Sequence, residues 1–123
     1  MNNIRKTHEL GQSIWLDYIS KSLITSGELA ELIDAGVCGI TSNPTIFEKA
    51  ITGSQDYDGS LAALMDQGRS PWEIYDELTR EDVGTAADLL RPLHDRTGGD
   101  DGYVSLEVSP TLAHDTKKTV REG

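Results

Sequence analysis

Polar and apolar positions along the chain follow two different periods. Three short segments have the character of strands: Ser13-Ile-Trp-Leu-Asp-Tyr-Ile19, Val37-Cys-Gly-Ile-Thr41 and Tyr103-Val-Ser-Leu-Glu-Val108. Each is rich in β-branched or aromatic residues and is flanked by turn residues, and Pro110 stops the third. Between them the spacing becomes helical. Thr25 or Ser26 is expected to N-cap a helix through Leu32 and Ile33, with Gly36 as its C′ glycine. Pro44 suits the first turn of a second helix carrying Ile46, Phe47, Ala50 and Ile51. Residues 54–66 predict a third. Ser70-Pro71 opens a fourth through Trp72, Tyr75 and Leu78, and a fifth runs from about Glu81 through Ala86, Leu89, Leu90 and Leu93. Thr97-Gly-Gly-Asp-Asp-Gly102 is a turn without a phosphate-loop pattern. A last helix begins after Thr116.

Strands alternating with helices predict a parallel α/β arrangement. Asp17 and Asn43 are 26 residues apart, close to the roughly 30 of one unit in a (β/α)8 barrel. Asn43 and Glu107 are 64 apart, about two units with no strand signal between. The fold class is therefore α/β: a partial (β/α)8 barrel with its first three parallel strands and inserted helices between the second and third. Residues 1–123 form the N-terminal portion of one such domain.

Charge and cysteine usage narrow the partners. The 123 residues carry a formal net charge of −10 and 37% hydrophobic positions. That balance argues against a nucleic-acid partner, because phosphate backbones attract Lys and Arg patches. An acidic protein can still hold a local basic pocket for a phosphosugar. The single thiol, Cys38, cannot form an internal disulfide, which fits a reducing cytoplasm. The polar start lacks a signal peptide's apolar stretch, and no run approaches the roughly 20 apolar residues of a membrane span. A cytoplasmic protein without membrane contact is expected.

Alternation splits each strand into two faces. Trp15 and Asp17, then Gly39, Thr41 and Asn43, then Tyr103, Ser105 and Glu107 fall on the less apolar face. In a parallel sheet Asp17, Asn43 and Glu107 would converge at the C-terminal rim, where barrel enzymes hold their active sites. Two carboxylates and an amide, with Thr41 beside them, suit proton transfer and hydroxyl recognition. The same residues would equally cap helices or bind water, and periodicity leaves both readings open.

The motifs themselves carry a resemblance. Ser13-Ile-Trp-Leu-Asp17, Gly39-Ile-Thr-Ser-Asn-Pro-Thr-Ile-Phe47, and Asp101-Gly-Tyr-Val-Ser-Leu-Glu-Val-Ser-Pro110 with Ala113-His-Asp-Thr116 resemble the first three strand motifs of transaldolases, in order and over nearly the whole chain. The likeness is to the bacterial branch. It implies a (β/α)8 barrel of the pentose phosphate pathway. Such an enzyme transfers a dihydroxyacetone unit from a ketose phosphate to an aldose phosphate through a lysine Schiff base. No metal or organic cofactor is implied. The implied substrates are fructose 6-phosphate, sedoheptulose 7-phosphate, erythrose 4-phosphate and glyceraldehyde 3-phosphate. By motif, Asp17 corresponds to the acid/base aspartate of C–C cleavage. Asn43 corresponds to the asparagine that binds the dihydroxyacetone moiety, and Glu107 to the glutamate that works through a water in imine formation. Thr41 lines the same pocket.

The Schiff-base lysine of that family lies on the fourth strand. The lysines here are Lys6, Lys21, Lys49, Lys117 and Lys118. None falls in a predicted strand, and all are expected on solvated faces, although Lys21 follows the first strand and could reach the rim. A nucleophilic amine needs the depressed pKa that desolvation gives. The chain alone is therefore expected to be an inactive piece of a longer enzyme. A related Schiff-base lyase, or a non-catalytic remnant or interaction fragment, are the alternatives. His8, His94 and His114 show no metal-ligand spacing and read as surface or helix-end residues. Cys38 reads as a packed core thiol. Trp15 is expected to face inward with Asp17, mainly as packing. Trp72, Tyr75 and Leu78 are expected to bury one helix face.

Overall fold

The structure is a computed structural model that describes residues 2–123. Its three strands, β1 (Trp15–Leu16), β2 (Gly39–Ile40) and β3 (Tyr103–Val104), form one parallel sheet in the order β1-β2-β3. Sequential order and parallel direction agree with part of a (β/α)8 barrel. The strands are shorter than their sequence segments, although Cys38 and Thr41 extend the β1–β2 ladder by donating backbone N–H bonds to Ile14 and Leu16.

Register explains the two faces. Trp15, Gly39 and Tyr103 form one cross-strand row, and Leu16, Ile40 and Val104 form the other. The second row is covered by helices: Ile40 is fully buried with Ile19, Leu29, Phe47, Ala86 and Leu90, and Leu16 and Val104 pack against that core. The first row lies largely open. Its central position must be glycine, because a Cβ on Gly39 would meet the Trp15 ring at 2.6 Å. Trp15 does share the Asp17 face and packs flat across Gly39, while remaining 37% exposed.

The helices are α1 (Asn3–Glu9), α2 (Lys21–Thr25), α3 (Glu28–Ala35), α4 (Pro44–Thr52), α5 (Asp58–Asp66), α6 (Pro71–Thr97) and α7 (Thr116–Glu122). The extra helices between the second and third strands are thus α4, α5 and α6. Several differ from expectation. The polar α1 lacks an apolar stripe, and it docks by its end: Asn2 Nδ2 donates to Ala35 O at 2.6 Å and the Arg5 guanidinium donates to Asp34 O. The helix expected from Thr25 or Ser26 is α3, which starts two residues later at Glu28, and a short additional helix, α2, precedes it. Ser20 caps α2 by accepting the Leu23 N–H, and Gly27, at φ 87°, separates it from α3. Gly36 ends α3 in the left-handed conformation as expected.

The two helices expected over 70–78 and from about Glu81 are one, α6. Ser70 and Glu73 form its capping box and Pro71 starts it. The polar run Thr79-Arg80-Glu81-Asp82 interrupts its apolar stripe in sequence. In space the stripe continues, because Ile74, Leu78, Asp82, Ala86 and Leu90 are all buried at i, i+4 spacing. Asp82 is tolerated there because Tyr57, wholly buried, donates its O–H to Asp82 Oδ2 at 2.6 Å. Leu78 is buried as expected, but Trp72 is 50% exposed and stacks on Tyr75, whose ring meets Phe47 edge-on. Among the described residues no helix is long and apolar enough to cross a membrane.

Candidate active site

The ends of the three strands deliver the predicted polar residues to one place. Asp17 follows β1, Asn43 follows β2 and Glu107 follows β3. All three line a single open cleft of about 610 Å³, together with Pro44, Thr45, Ile46 and Lys49 of α4 and with Pro110. Asp17 and Glu107 are exposed, and Asn43 and Thr41 are half-buried.

Each side chain has a local reason for its position. Thr41 lies on the same face as Asp17, one strand over. Its Oγ1 donates to Asp17 Oδ1 at 2.6 Å, which orients the carboxylate and leaves Oδ2 for another donor. Asn43 is the N-cap of α4, and its Oδ1 accepts the Ile46 N–H at 2.9 Å. The helix-capping role and a binding role are therefore compatible: the cap occupies Oδ1, and the two Nδ2 protons remain available as donors. Pro44 at the next position fixes the first turn, so the amide is held where the strand ends. Glu107 also borders a smaller cleft of about 120 Å³ with Trp72, Tyr75 and Asp76 of α6. The Tyr75 hydroxyl is pushed up in pKa, first by burial and then by the Glu107 and Asp76 charges.

Lys49, expected only on a solvated face, is exposed and also lines the cleft. It lies four residues after Thr45, so both fall on one face of α4, and that spacing was the available signal. Lys21 departs from its expected solvated position. Its side chain is only 20% exposed, and its Nζ lies 3.7 Å from Glu81 and 3.9 Å from Asp82, over the Tyr57 ring at 5.5 Å. It does not line the cleft. The reason is α2: Lys21 is its first residue and turns toward α6.

A second cluster lies at the opposite ends of the strands. His8 of α1, Cys38 just before β2 and Asp101 just before β3 bring one ligand atom each within 4.8 Å of one another. Cys38 is a buried free thiol, as expected. Burial, followed by the neighbouring Asp101 charge, raises its pKa. His94, at the end of α6, packs its ring edge against Tyr103. His114 is exposed.

The family model described as transaldolase/fructose-6-phosphate aldolase matches residues 14–123. The chain belongs to this family. It is 46% identical over its whole length to transaldolase 2 of Nostoc sp.. It is 51% identical over 93% of its length to a transaldolase of Neisseria gonorrhoeae, and 50% identical over 98% to transaldolase 2 of Streptomyces coelicolor. In each case it spans 32% of the relative's length. The matched region of this transaldolase-family chain thus takes in all three strands and every residue that lines the cleft.

Proposed function

We propose that this chain forms the N-terminal part of a transaldolase, and that Asp17, Asn43 and Glu107 are working groups of its active site. The observation that carries this reading is their common cleft at the C-terminal ends of three parallel strands. The reaction moves a dihydroxyacetone unit from a ketose phosphate such as fructose 6-phosphate or sedoheptulose 7-phosphate. The acceptor is an aldose phosphate such as erythrose 4-phosphate or glyceraldehyde 3-phosphate. It takes place in the cytoplasm, as a step of the pentose phosphate pathway.

In this reading a lysine outside the chain attacks the ketose carbonyl and water leaves. Glu107 supplies and withdraws protons through a water during that dehydration. Asp17 Oδ2 removes the proton of the sugar hydroxyl as the C–C bond breaks, and returns it when the acceptor aldehyde arrives. Thr41 holds Asp17 in position through Oδ1. Asn43 donates from Nδ2 to an oxygen of the bound three-carbon unit while its Oδ1 stays on the helix. None of β1, β2 and β3 contains a lysine, and the Lys49 amine at the cleft is exposed rather than desolvated. The 123 residues alone are accordingly inactive.

Three measurements test the proposal. Borohydride reduction of the purified chain with fructose 6-phosphate should leave no covalent adduct. An adduct on Lys49 or Lys21 would overturn the inactivity. In the coding frame beyond Gly123, a strand-borne lysine should follow about 20 to 30 residues on, one βα unit later. In that longer chain Asp17→Asn should lower transfer to erythrose 4-phosphate by about 10²- to 10⁴-fold. Undiminished transfer removes Asp17 from the role, and release of free dihydroxyacetone without transfer identifies a lyase instead.

A further inference from the structure

We propose that His8, Cys38 and Asp101 form a structural binding site for a zinc-type divalent ion at the N-terminal end of the sheet, away from the sugar cleft. Imidazole, thiolate and carboxylate together are a donor set of borderline softness that suits Zn²⁺.

Without an ion the thiol already has partners: Cys38 Sγ donates to Gly36 O at 3.3 Å and lies 3.7 Å from His8 Nδ1. The same ring atom, His8 Nδ1, faces Cys38 Sγ at 3.7 Å and Asp101 Oδ2 at 3.9 Å. The His8–Asp101 separation is too long for a direct hydrogen bond. A shared cation would draw all three ligand atoms, now within 4.8 Å of one another, onto one centre. Tetrahedral zinc with bonds of about 2.3 Å to sulfur and about 2.0–2.2 Å to nitrogen and oxygen sets S···N near about 3.6 Å and N···O near about 3.4 Å. The S···N separation is close to this and the N···O separation is longer, so the half-exposed His8 would rotate inward on binding.

The surroundings also fit. Cys38 and Asp101 are each 4% exposed, which holds two ligands in place before the ion arrives. Ser13 Oγ donates to Asp101 Oδ1, fixing the carboxylate from behind as outer-shell partners do. On binding, the thiol would give up its proton, and thiolate, carboxylate and neutral imidazole would together balance a dication. His8, with its side chain 50% exposed, provides the way in. A pocket of about 300 Å³ adjoins His8 and Cys38, leaving room for a fourth ligand. The ion would tie α1, which carries no buried residue, to the starts of β2 and β3. On this fold that end of the strands serves stability.

Titration of the full chain with Co²⁺, followed by Zn²⁺ displacement, tests the site. The expected result is saturation at one equivalent with a thiolate-to-cobalt charge-transfer band, and a thermal midpoint that rises with one equivalent of Zn²⁺. Cys38→Ser should abolish the band. His8→Ala should weaken binding at least about tenfold, and Ser13→Ala about 10- to 100-fold. His8 is half-exposed, so His8→Ala should keep the metal-free far-UV spectrum of the parent and decide the matter even if Cys38→Ser fails to fold. No charge-transfer band at one equivalent, or a band of unchanged affinity in His8→Ala, would overturn the site.

Discussion

Removing one hydroxyl should unsettle the centre of this fold. Tyr57 is wholly buried. Its O–H donates to Asp82 Oδ2 at 2.6 Å and its oxygen accepts the Lys21 N–H at 2.8 Å. Tyr57→Phe keeps the ring, so no cavity opens, but both partners lose their bond. An unsatisfied buried group costs about 1–3 kcal/mol. Asp82 retains Lys21 Nζ at 3.9 Å, which places its share toward the lower end. The sum is about 2–4 kcal/mol. For a chain of this size that corresponds to roughly 10 °C in thermal midpoint. The assay is urea unfolding followed by far-UV circular dichroism, with Tyr103→Phe as control. Tyr103 is 44% exposed and donates to Gly99 O, so water replaces the lost partner and the cost stays below about 1 kcal/mol. If Tyr57→Phe unfolds at the same urea concentration as Tyr103→Phe, the network does not bridge α2 and α6 as described.

Two further outcomes follow from the same packing. Burial, outweighing the Tyr57 hydrogen bond and the Lys21 charge, holds the Asp82 carboxyl above its ordinary pKa. The folded state therefore binds that proton more tightly than the unfolded chain does. Asp82's contribution to stability is fullest below the ordinary aspartate range and declines as pH rises through the raised value. The stability difference between wild type and Asp82→Asn should accordingly shift against wild type as pH rises over that window, and a shift in the other direction refutes the assignment. Gly102→Ala should cost more than about 2 kcal/mol in urea unfolding. Gly102 has φ 92°, and its Cβ would lie 2.6 Å from the His94 backbone nitrogen, an atom that cannot rotate away.

The candidate cleft was legible because its logic is local and repeated. Each of Asp17, Asn43 and Glu107 ends a short apolar segment, and a parallel sheet turns three equivalent sequence positions into one rim. The α/β class and the inserted helices were legible for a similar reason, as changes of period and spacing. Sequence patterns failed where a residue's partner lay far along the chain. Asp82 broke the apolar stripe of α6 on paper, yet it is buried against Tyr57, 25 residues earlier. The polar α1 showed no stripe because it is held through hydrogen bonds to the end of α3, about 30 residues later.

What the sequence determined by itself was the order of elements and the kind of residue at each strand end, since periodicity and capping act over only a few residues. Only the tertiary structure decided which distant groups share an environment. It moved Lys21 out of solvent and onto α6, brought Lys49 to the cleft, and gathered His8, Cys38 and Asp101. Those placements depend on how helices pack across the sheet, and that packing brings together side chains that no spacing along the chain relates.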